Sequence, residues 1–167
     1  GEAMARHTGG KGKVACLGIL GMSNQEAGFQ GVRDALRKFP KMEFLGNYGV
    51  KGDLEDAARV AADLLSAHPD LAGLCGFTSE TGPGIALAVK EAGKMGKVKI
   101  TTVDAEEQHL KMVKQGVIQH LVGQKRELFT WYGAQFLHDL VHRTNALTSN
   151  DRKAGVVAVP SAVSTGQ

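Results

Sequence analysis

The residues in this chain best suited to chemistry are polar groups that follow apolar runs. Asp104 ends the run VKITTVD and is followed at once by AEEQ, so a carboxylate stands where a strand gives way to a helix. In the residues 98–104, Val98, Ile100, Thr102 and Asp104 share one side and Lys99, Thr101 and Val103 the other. Such a carboxylate sits at the carboxyl edge of a sheet, where open α/β folds bind ligands. Asp104 and Glu107 also have D-x-x-E spacing, which suits a carboxylate capping the helix amides, and the residues alone leave both readings open. Comparable groups follow other apolar runs: Ser23, Asn24 and Gln25; Thr78, Ser79 and Glu80; and Gln124. Planar carboxylates and amides bridge adjacent hydroxyls, so such a rim fits a neutral polyol, and it fits ordinary polar turns as well.

Motifs for other chemistry are incomplete. Gly18 and Gly21 lack the G-x-G-x-x-G spacing of a dinucleotide turn, and neither a P-loop nor G-x-S-x-G occurs. His138, Asp139 and His142 place two imidazoles one helical turn apart, without the glutamate base or third ligand of a metalloprotease. Nothing assembles a nucleophile, a base and an orienting group, so no enzyme activity, cofactor or metal is expected. Cys16 and Cys75, in VACLGI and LAGLCG, read as small buried hydrophobes.

The elements that position the rim alternate. Apolar runs at 14–20, 42–48, 71–77, 98–104 and 117–122 read as strands. Helical spacing appears at 24–39, from Asp53 to the break at Pro69, from Pro83 to Gly93, and at 106–115, with Leu110 and Val113 facing inward. Residues 2–7 add a short helix before Gly9 and Gly10. Five strand–helix alternations with short connections force parallel strands and right-handed crossovers. The fold class is therefore α/β: a doubly wound, mainly parallel sheet with helices on both faces. If strand order reverses between the first and third strands, the loops at 21–25, 76–81, 104–106 and 123–126 meet along a crevice.

Past residue 125 the pattern changes. Leu128, Phe129, Trp131, Tyr132, Phe136, Leu137, Leu140 and Val141 spread around a helix over 126–143, too apolar to be left in water, and 156–159 reads as a late strand ending at Pro160. At 167 residues the chain can bury roughly 70% of its unfolded surface. Its net charge of +3 is spread over the segments without the clustering of a nucleic-acid face, so no nucleic-acid partner is expected. No run reaches the length of a membrane span, and residues 1–13 lack the apolar stretch of a signal peptide.

The order of these motifs resembles the C-terminal lobe of type I periplasmic solute-binding proteins, the ribose and galactose group of ABC transporters. The resemblance rests on GGKGKVACLGI, on Gly28 and Phe29 in the first long helix, on AHPDLAGLCGFTSETGPGIALAVKEAG, on KVKITTVDAEEQHLKMVKQGVIQHLVGQK and on a closing VPSAVSTG. It implies that Asp104 and Gln124 reach a sugar-like solute, with Thr78, Gln25, Ser23 and Glu80 lining the site. The family's arginine near the first helix has no counterpart in MSNQEAGF, and Thr78 and Ser79 stand where ribose-type members carry Asn-Asp, which argues against ribose itself.

The resemblance also implies one lobe of a two-lobed protein. Residues 1–125 are expected to be that lobe, 126–155 a helix and linker packing in an N-terminal lobe absent here, and 156–167 a final strand returning through the hinge. The expected partners are the solute and the membrane subunits of an ABC transporter, and the expected location is periplasmic or extracellular. The apolar helix, from Leu128 to Val141, is expected to be hidden by self-association or by folding back. The rival function is the effector-binding core of a lac-repressor-type transcription regulator, which shares the two-lobed architecture.

Overall fold

A computed structural model describes residues 1–142 and 161–165. The elements are α1 (Glu2–Thr8), β1 (Lys11–Gly18), α2 (Ser23–Leu36), β2 (Lys41–Gly49), α3 (Leu54–Ala67), β3 (Leu71–Gly76), α4 (Thr81–Glu91), β4 (Lys99–Val103), α5 (Glu107–Lys114), β5 (His120–Gln124), α6 (Arg126–His142) and β6 (Ser161–Thr165). The expected strand at 156–159 and the linker at 143–155 lie outside the described residues. The sheet order is β2-β1-β3-β4-β5-β6, and β1 through β5 pair in parallel. Order reverses between β1 and β3, so the doubly wound α/β fold and its switch point are both as expected.

Period-two alternation divides the strands between two cores. Ala15, Leu17, Leu74, Ile100 and Leu121 face α3, α4 and α5, joining Ala61, Leu64, Ile85 and Val89. Val14, Cys16 and Cys75 face the other way, onto Met4 of α1 and Phe29, Val32 and Leu36 of α2. The Phe29 ring meets Phe77 edge-on, with centroids 4.8 Å apart. α3 starts where Asp53 accepts from the Asp56 amide at 2.7 Å, a side-chain cap of about 1 kcal/mol.

Several boundaries differ from the sequence reading, each for a local reason. β1 begins at Lys11 because that lysine already pairs with Lys41 of β2, and it stops at Gly18, leaving Leu20 exposed. α4 begins two residues before Pro83, with Thr81, Gly82 and Pro83 all buried in its first turn. In α5 the inward position is His109, 2% exposed, and Leu110 is 40% exposed. A helix of eight residues makes barely two turns, too few for apolar spacing alone to fix its phase.

The chain divides into two compact units, one of Gly1–Val122 with Val163–Gln167 and one of Gly123–Ala162. α6 belongs to the second. Its Trp131, Leu137 and Val141 are 59%, 65% and 74% exposed.

Candidate functional site

Because β1, β3 and β4 run in parallel, their last residues, Gly18, Gly76 and Val103, open onto one edge, and the reversal between β1 and β3 parts the loops there. Asp104 follows β4 directly and is buried. It has φ 68°, the one positive φ outside glycine among the described residues. A left-handed aspartate costs on the order of 1 kcal/mol or more, so its surroundings must hold it. Its amide donates to the Val122 carbonyl at 3.0 Å, extending the ladder to β5, and its Oδ2 accepts from the Ser79 hydroxyl at 2.6 Å. A hydrogen bond to a carboxylate contributes about 1.5–3 kcal/mol, enough to offset the backbone cost.

Ser79 is held at a second point. Its carbonyl accepts from His109 Nε2 at 2.8 Å, which assigns the ring proton to that nitrogen. His109 Nδ1 is then a buried acceptor with no partner among the described residues. Asp104, Ser79 and His109 thus form a chain joining the end of β4, the loop after β3 and the inner face of α5. This corrects the capping alternative: the residue at the N-cap of α5 is Glu106, whose own side chain makes no capping bond, and Asp104 is turned to Ser79.

The other rim residues have distinct tasks. Thr78 Oγ1 pairs with the Thr81 hydroxyl and accepts from the Thr81 amide at 3.2 Å, so this half-buried residue closes the start of α4. Glu80 is exposed in the same loop, and Ser23 is exposed at the first position of α2. Gln25 is buried, its Oε1 accepting from the Ile19 amide at 2.7 Å and its Nε2 pointing to Met22 Sδ at 3.5 Å. The end of β1 leaves an unpaired amide, and the glutamine satisfies it. Glu26 does the same for Gly21 at 2.9 Å. Gln124 is the exposed last residue of β5 and falls in the second unit. Asp104, Thr78 and Glu80 are brought together around Ser79, Ser23 stands at the neighbouring strand end, and Gln25 supports that loop from within.

Close backbone approach makes this edge compact. A Cβ on Gly82 would stand 2.8 Å from Thr102 Cγ2, so only glycine lets the first turn of α4 lie against the end of β4. His109 was not recognised from the sequence; its spacing of four from inward Val113 is the signal that marks it. His138 and His142 of α6 lie with ring centroids 4.5 Å apart, and among the described residues no group of three His, Cys, Asp or Glu side chains is gathered to hold a metal.

Asp104 is thus a buried, oriented carboxylate at the carboxyl edge of a doubly wound sheet, on the strand next to β3. The model of the periplasmic binding protein domain matches residues 1–144, and the chain belongs to that family. It is 31% identical over 117 residues to the xylitol-binding protein of Mycolicibacterium smegmatis, covering 69% of this chain and 33% of that protein. It is 29% identical over 114 residues to the D-allose-binding periplasmic protein of Escherichia coli, covering 68% and 37%. The matched stretch is about a third of the length of either curated relative. Among solved structures, an ABC transporter periplasmic solute-binding protein from Actinobacillus succinogenes with bound D-allose superposes with TM-score 0.88 at 26% identity, covering 99% of this chain and 56% of that one. The arabinose-binding protein AraP of Geobacillus stearothermophilus does so with TM-score 0.81 at 29% identity, covering 98% and 57%. No helix among the described residues is long and apolar enough to cross a membrane.

Proposed function

We propose that this chain is one lobe of the solute-binding component of an ABC transporter, that its solute is a neutral sugar or polyol, and that it binds without transforming it. The observation that carries the reading is Asp104: a carboxylate held in a left-handed backbone by Ser79 at the carboxyl edge of the sheet, in a family of periplasmic binding proteins. Carboxylate oxygens accept from more than one hydroxyl at once, and the Ser79 hydroxyl fixes the direction in which they do so. Thr78, Glu80 and Ser23 lie on the same rim. Gln124, at the end of β5, donates and accepts near the crossing between lobes. The curated relatives are named for binding xylitol and D-allose, an alditol and an aldose, which supports a solute with adjacent hydroxyls and favours transport over the regulator reading.

In the whole protein residues 1–125 form the C-terminal lobe, 126–155 reach into the other lobe, and 156–167 return through the hinge. Each lobe then supplies part of the hydrogen bonding, and the solute populates the closed state by bridging them. The closed form, periplasmic or extracellular, docks on the membrane subunits. Calorimetry of the full-length protein against pentoses, hexoses and polyols tests this. Asp104→Ala is expected to weaken the best ligand by roughly 100-fold, the loss of a charged hydrogen bond or two. Unchanged affinity in that variant would remove Asp104 from the site.

A further inference from the structure

Cys16 and Cys75 are the two cysteines of the chain, and both are free and buried. The parallel pairing of β1 with β3 sets them directly opposite each other, with their side chains in the core beneath α1 and α2. Neighbouring strands lie about 4.8 Å apart, inside the Cα separation of about 4.4–6.8 Å that a disulfide spans. Thr101, the register partner of Cys75 on β4, donates its hydroxyl to Cys75 Sγ at 3.2 Å. Cys75 and Thr101 also line an open cleft of about 620 Å³ between α1, α2 and the β3–β5 face of the sheet, together with Phe77 and Val103. Cys16 does not line it.

We propose that Cys75 and Cys16 form a peroxide-responsive pair, in which Cys75 reacts with a peroxide entering the cleft and Cys16 then closes a disulfide that ties β1 to β3. The asymmetry between the two thiols follows from their neighbours. The Cys16 thiol and the Thr101 hydroxyl both donate to the Cys75 sulfur, and together they hold the Cys75 thiol below its ordinary value against the opposing effect of burial. Cys16 is pushed up, first by its hydrogen bond to Cys75 and then by burial. Because Cys75 lines the cleft and Cys16 does not, Cys75 is the attacking group and Cys16 the resolving one. In the first step the Cys75 thiolate attacks one peroxide oxygen, the O–O bond breaks, and the other oxygen leaves as water after taking a proton, giving a sulfenic acid. In the second, the Cys16 sulfur attacks the sulfenic sulfur, the S–O bond breaks, a second water leaves and the S–S bond forms. Two thiols lose two electrons and two protons, and one peroxide becomes two waters.

The bridge joins the two strands whose ends carry the loops at 19–25 and 77–81, so oxidation stiffens the crevice edge without entering the crevice. The test treats the purified protein with hydrogen peroxide, blocks remaining thiols under denaturing conditions and maps the digest by mass spectrometry. The expected result is loss of both thiols, an intramolecular link between the Cys16 and Cys75 peptides, and recovery of both on reduction with dithiothreitol. Thiols that stay alkylatable, or a link only between molecules, would overturn the proposal. In Cys16→Ser, dimedone is expected to trap a sulfenic acid on Cys75, whereas in Cys75→Ser the remaining thiol stays unlabelled; the reverse pattern would overturn the assigned order. The link in the unsubstituted protein is read without either variant, so a variant that fails to fold leaves that result standing.

Discussion

α3 and α6 are both long and rich in apolar residues, yet they stand in opposite relations to solvent. α3 gathers Ala57, Val60, Ala61, Leu64 and Leu65 on one stripe, and all five are buried. α6 distributes its large side chains around the axis, and Phe129, Trp131, Tyr132, Leu137 and Val141 are exposed. A stripe can be covered by one sheet, but a ring of side chains needs cover on more than one side. At about 1.5–3 kcal/mol for each large side chain left in water, Trp131, Leu137 and Val141 together forgo roughly 5 kcal/mol. The contrast teaches that α3 is folded by what this chain contains, whereas α6 keeps large apolar side chains exposed. The proposal of an N-terminal lobe, or of self-association through this helix, rests on that difference.

Truncation breaks or sharpens the contrast most directly. Phe29→Ala, at a fully buried ring, is expected to cost about 3–5 kcal/mol in urea denaturation, while Trp131→Ser changes stability by less than about 0.5 kcal/mol. A comparable loss at Trp131, growing with protein concentration, would show that a second copy covers α6. Glycines give a smaller and oppositely signed pair. Gly82→Ala drives a methyl against Thr102 and is expected to cost about 1–3 kcal/mol, whereas a Cβ on Gly133 of α6 meets nothing within 4 Å, so Gly133→Ala is expected to stabilise by about 0.5–1 kcal/mol. Thermal melts of the two variants moving in the same direction would erase the distinction.

The smallest effect is in pH. His120 lies buried in β5, 6.1 Å between ring centroids from His7. Burial holds the His120 ring below its ordinary value of 6.5, and the charges of His7 and Arg6 add to that; burial acts first on His7 as well. The unfolded chain then binds protons that the folded chain refuses. Stability from these rings is whole above pH 6.5 and is lost as pH falls from there toward their folded values. His120→Gln is expected to flatten that acid-side slope, which urea midpoints measured between pH 7 and 5 would register; an unchanged slope would place its origin elsewhere.

The alternation of apolar runs and amphipathic stripes carried the fold, because both periods act within ten residues or so, and short connections then leave few topologies. Asp104 was legible for the same reason, as a carboxylate that ends a run. The bonds that hold it in place were not. Ser79 reaches Asp104 across 25 residues of sequence and His109 reaches Ser79 across 30, and nothing local announces either pairing. The bond from the Ile19 amide to Gln25 was equally hidden, because residue type marks a polar group without saying which way it turns. The aromatic content of α6 was plain in the sequence, whereas its exposure depended on what else was there to cover it.

The left-handed turn at Asp104 has a consequence for how such a lobe changes its taste. Few side chains tolerate that backbone, chiefly glycine, asparagine and aspartate. Position 104 therefore offers evolution almost no vocabulary: the proposed anchor is kept, or swapped for a near twin, or abandoned. On the proposed reading, divergence toward new solutes is written in the flanking letters, at Thr78, Glu80 and Ser23, whose backbones impose no such restriction.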